Sequence, residues 1–80
     1  MVDARDRDAL KSARSVMTRH GLDISRADIH VVHGICYIRG IIEAIKGSNV
    51  SDVEGEVQRV SHFIRQKPGI TNVIVEIQKR

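Results

Sequence analysis

Residues His33–Ile42, HGICYIRGII, decide the fold. They alternate as a strand does, with a side-chain period of two, yet both alternating sets are apolar. Cys36, Ile38 and Ile42 fall on one parity; Ile35, Tyr37 and Ile41 fall on the other. An antiparallel strand with one wet face alternates apolar with polar. A strand that is apolar on both parities raises the question of what meets its second face.

Upstream, Ile29 and Val31 share one parity, and His30 and Val32 the other. His33-Gly34 lies between two β-rich runs and predicts a hairpin with a tight turn. Asp23 to Asp28 is polar and reads as a connector. Before it, Leu10, Ala13, Met17 and His20, flanked by Ala9 and Val16, recur at helical spacing and predict a helix over Asp3–His20. Asp3 or Asp6 would cap its start. Gly21 would end it, with Leu22 folding back on the last turn.

Downstream, Gly47-Ser48-Asn49 marks a loop. In the segment 43–50 either the second strand runs on through Ala44-Ile45 or a loop is inserted. Ser51, with Glu54 three residues later, reads as a capping box. Behind it Val53, Val57, Val60 and Ile64 recur at helical spacing, with Phe63 beside them. Gly55 costs such a helix about 1 kcal/mol relative to Ala and implies a close contact or a flexible first turn. Pro68-Gly69 ends the helix. Ile70–Ile77 is the last strand, with Val73, Val75 and Ile77 on one parity and Ile74 on the other.

The order α-β-β-α-β predicts an α+β open-faced sandwich, with two helices on one face of a three-stranded mixed sheet. Length allows one domain over residues 1–80, with the N-terminal helix in 1–22. Cys36, Ile38, Val57, Val60, Ile64, Val73 and Val75 are the expected core, and Ile29 and Val31 point inward with them.

This order, with Gly34 at the hairpin, "ICYIRG" ending at Gly40, a helix from about Val53 to Lys67 and "KPGITNVIVEI" with Gly69, resembles the BON domain, a small bacterial module. The resemblance covers roughly Ile24–Ile77. Its motif elements here are Gly34, Gly40, Pro68 and Gly69; Gly40 would permit a kink or bulge. The segment 43–50 is longer than the link usual in that family. The resemblance implies a non-catalytic binding module, associated with phospholipid surfaces and envelope proteins, and transfers no catalytic residue.

Composition narrows the function. One Tyr, one Phe and no Trp leave almost no stacking platform for single-stranded nucleic acid. The 13 basic and 10 acidic residues leave a net charge of +3, but the signs interleave, as in DARDRD at Asp3–Asp8. Interleaved charge describes a solvated helix surface better than a phosphate-binding stripe. One cysteine excludes an internal disulfide. No secretory signal or membrane-length apolar run is present. A complete chain of this kind belongs in the cytoplasm; a segment cut from a larger exported protein belongs at the envelope.

His20, His30, His33, His62 and Cys36 are the metal-ligand types present, but their spacing predicts no convergence and hence no metal or other cofactor. His30 and His33 start on opposite strand faces, and Cys36 shares the core parity of Ile38. No phosphate loop or carboxylate pair suited to acid–base chemistry occurs. An enzyme is not expected.

The apolar second parity is therefore the candidate site: Val32, Ile35, Tyr37, Arg39 and Ile41, joined by Ile74, with His30 at the rim. These side chains are either scattered surface hydrophobics, covered by the N-terminal helix, or a face for a protein partner, a second copy or a phospholipid surface. The alternative is a basic adaptor holding anionic lipid or nucleic acid electrostatically, although nucleic acid fits the composition poorly.

Overall fold

The computed structural model describes residues 4–78. Helix α1 spans Ala4–Arg19 and buries Ala9, Ala13, Val16 and Met17. It ends at Gly21, and Leu22 folds back to complete burial. Strand β1 (Leu22–Asp23) leads to β2 (Ala27–Val32), β3 (Ile35–Ile41), β4 (Glu43–Ala44), α2 (Val53–Arg65) and β5 (Asn72–Gln78). In the main sheet β3 is central, antiparallel to β2 and parallel to β5.

Ile29, Val31, Cys36, Ile38 and Val73 from the sheet join Val57, Val60 and Ile64 of α2 and the buried residues of α1 in one core cluster. Both helices therefore lie on one face of a mixed three-stranded sheet. Val75 is only partly buried but packs against the same cluster.

The His33-Gly34 turn has two positive φ values, 51° and 82°. That is the pattern of a two-residue type I′ hairpin, whose twist matches the strands. Glycine takes this conformation without strain, whereas His33 needs outside support. The support comes from both sides. Asp6 Oδ2 accepts from the His33 amide at 3.1 Å and Asp6 Oδ1 from the Gly34 amide at 3.3 Å. The Thr71 amide donates to the Gly34 carbonyl at 2.7 Å. Asp6 thus lies inside α1 and clamps the hairpin instead of capping its own helix; Asp3 lies outside the described residues.

Four local expectations are corrected. The cap of α2 is Asp52, not Ser51: Asp52 Oδ1 accepts from the Gly55 amide at 3.2 Å. A side chain on Gly55 would put its Cβ 2.7 Å from Asp52 Oδ2, which explains the early glycine as a close contact. Gly40 is no bulge, for it pairs one-to-one with Ala27 and with Ile77; the nearby Arg26 carbonyl, 3.0 Å from a would-be Cβ, leaves no room for one. The polar connector is not a simple loop, and of the two readings of 43–50 the chain does run on as strand, but as a separate short one: β1 pairs with β4, and the Ile45 amide donates to the Gly21 carbonyl at 2.8 Å. Strand β2 begins at Ala27, two residues before Ile29.

Candidate binding face on the open side of the sheet

Pairing registers place the outward side chains of the sheet in cross-strand rows. Val32, Ile35 and Asn72 form the first; His30, Tyr37 and Ile74 the second; Asp28, Arg39 and Glu76 the third; Ile41 and Gln78 the fourth. Among the described residues neither helix crosses these rows, because both bury their apolar stripes on the other face. Val32 is 45% exposed, while Ile35, Tyr37, Ile41 and Ile74 are half-buried by one another. An aliphatic or aromatic side chain of this size contributes about 1.5–3 kcal/mol when fully removed from water. These four have already gained part of that and retain the rest.

Tyr37 is the centre of the face. The His30 ring stacks on it with centroids 4.9 Å apart and planes 17° from parallel. The Arg39 guanidinium carbon lies 5.5 Å from the Tyr37 centroid. Arg39 Nε in turn donates to Glu76 Oε1 at 3.2 Å, and His30 Nδ1 lies 3.7 Å from Asp28 Oδ2. The aromatic pair is thereby held flat between an apolar end and an ionic row. Among the described residues of this face Asp28 and Glu76 flank the cation Arg39, so the row they form carries no excess of positive charge.

All six residues expected on the face, Val32, Ile35, Tyr37, Arg39, Ile41 and Ile74, lie on it together. The ionic row and the His30–Tyr37 stack were not foreseen. Half of this was available, since residues equidistant from a two-residue turn must pair, which sets His30 opposite Tyr37. The motif glycines Gly34 and Gly69 meet elsewhere, at the hairpin end: a Cβ on Gly34 would lie 3.2 Å from the Gly69 carbonyl oxygen. Pro68 and Gly69 form the turn closed by Ile70 N–H to the Lys67 carbonyl at 3.2 Å. These positions shape the chain and are not on the face.

Among the described residues no group of His, Cys, Asp and Glu is placed to hold a metal ion. Cys36 is fully buried, and loss of solvation pushes its thiol up to about 11. No helix is long and apolar enough to cross a membrane. No protein-family model matches the chain, and no curated protein matches it.

Proposed function

We propose that this chain is a non-catalytic binding module, similar in plan to the BON domain, whose open sheet face packs against a protein surface, in the first instance a second copy of the chain. The observation that carries this reading is the alignment of Val32, Ile35, Tyr37, Ile41 and Ile74 in adjacent registers on a face that both helices leave uncovered. Contiguous apolar patches edged by polar residues mark interaction sites. Tyr37 has the anchor chemistry, an apolar ring with a polar tip, and Arg39 and His30 form the rim.

A second reading rests on α1. Arg7, Lys11 and Arg14 are exposed at helical spacing on its outer side, and the Asp6 carboxylate is engaged by the hairpin amides. That surface suits an anionic phospholipid, the partner class the BON resemblance implies, whereas the sheet face does not.

The two readings occupy different surfaces, so residue-resolved amide shifts separate them. A protein concentration series should move Ile35, Tyr37, Arg39 and Ile74 with little dependence on salt. Vesicles rich in anionic lipid would instead broaden α1, and salt would reverse it steeply. Shifts confined to α1 in both series would overturn the sheet-face reading.

A further inference from the structure

The helix layer carries a second concavity, remote from the open sheet. A groove of ≈ 360 Å³ is lined by Val16, Arg19, His20, Phe63, Gln66 and Lys67. Phe63, one of only two aromatic residues of the Phe, Tyr and Trp type in the chain, is 42% exposed there. The His20 ring lies 5.4 Å from it, tilted by 32°. Glu56 fixes that imidazole, with Oε2 3.0 Å from His20 Nδ1, while Oε1 accepts from Arg59 Nη1 at 3.2 Å.

A second, separate hollow of ≈ 340 Å³ shares Arg19 and His20 with the groove and is bordered by Ser48, Glu56 and Arg59. Among the described residues, Ser48 Oγ is the buried side-chain polar atom that has no hydrogen-bond partner. A buried hydroxyl without a partner is destabilising. Among the described residues that line the two hollows, the cations Arg19, Arg59 and Lys67 outnumber the carboxylate of Glu56 by two positive charges.

Cations near helix C-termini complement the helix dipole, and that alone accounts for Arg19 and Lys67. It does not account for the exposed ring of Phe63. An exposed aromatic face stacks on any flat ring, and Arg and Lys bind phosphate oxygens through charge-assisted hydrogen bonds. A dianionic phosphate matches the surplus of two charges better than a carboxylate does.

We propose that this groove is a ligand site for a small aromatic monophosphate of mononucleotide type. The ring stacks on Phe63 beside His20, and Arg19 and Lys67 hold the phosphate. The site is independent of the sheet face.

Amide-shift titration of the whole chain with AMP tests it, with adenosine and inorganic phosphate as separate arms. AMP should produce saturable shifts at Arg19, His20, Phe63 and Lys67 with half-saturation at about 1 mM or below. Adenosine and phosphate alone should bind roughly tenfold more weakly, since each makes half the contacts. Phe63→Leu and Arg19→Gln should each weaken AMP by roughly tenfold while leaving the sheet resonances at their parent positions. Linear shifts without saturation, equal shifts from phosphate alone, or AMP binding unchanged by Phe63→Leu would overturn the assignment.

Discussion

Cys36 shows most plainly what one position does in this fold. It sits in the central strand with no exposed surface, on the same inward face as Ile38. Burial penalises the thiolate, and its pKa rises from an ordinary 9.0 to about 11. The thiol form is thus favoured in the folded state. Below pH 9 both states hold the proton and stability is unaffected. Between about 9 and 11 the unfolded chain has lost its proton while the folded chain keeps it, so stability falls as pH rises, by at most about 2–3 kcal/mol. Lys and Tyr also titrate in this window, so the signal is the difference between parent and Cys36→Val. Denaturant unfolding at intervals from pH 8 to 11 should show a steeper loss for the parent; parallel curves would mean that the thiol is solvated. The facing of Cys36 was readable from parity alone, because a period of two assigns every residue of β3 once Ile38 is placed inward.

At the scale of elements, periodic features were legible and short or tertiary ones were not. The valines of α2 announced the helix and its start near Val53, but its cap was read one residue early. Ser51 and Glu54 satisfy the capping-box spacing, yet Asp52 sits where its carboxylate reaches the Gly55 amide. Asp52→Ala should cost about 1 kcal/mol and Ser51→Ala close to nothing, as read from urea unfolding midpoints; the reverse ranking would restore Ser51 as the cap. The two-residue strands β1 and β4 carry no period to read, since each exists only because the other is opposite it. The same holds for Asp6, which a sequence offers as a helix cap but which instead holds the hairpin. Asp6→Ala should remove about 1 kcal/mol or more, as a charge-assisted bond to backbone would. Hydrogen exchange at the His33 and Gly34 amides should then accelerate ahead of the rest of the sheet. Unchanged protection there would show that Asp6 does not hold the turn. The hairpin register followed from turn length, whereas the β3–β5 register did not, because a parallel connection through a helix leaves the offset open. That is why the Arg39–Glu76 pair was invisible.

The whole molecule separates what the sequence interleaves. The helix α1 contributes Arg5, Arg7, Lys11, Arg14 and Arg19 against Asp6 and Asp8, and Asp6 is spent on the hairpin. Among the described residues the open sheet face carries Asp28 and Glu76 around Arg39. The alternating signs of DARDRD describe the chain but not the surface, since folding turns one acid inward. The two layers thus present different chemistries: cations and an exposed Phe63 on the helices, apolar side chains around Tyr37 on the sheet. The answer to the doubly apolar strand is that one parity meets both helices and the other meets neither. The most direct measurement is sedimentation velocity of the parent and of the Ile35→Lys, Tyr37→Lys double variant, from about 10 μM to about 1 mM, which spans the range of weak protein association. The parent's sedimentation coefficient should rise with concentration, and the folded variant's should stay at the monomer value. A parent that remains monomeric at the highest concentration, indistinguishable from the variant, would contradict the account.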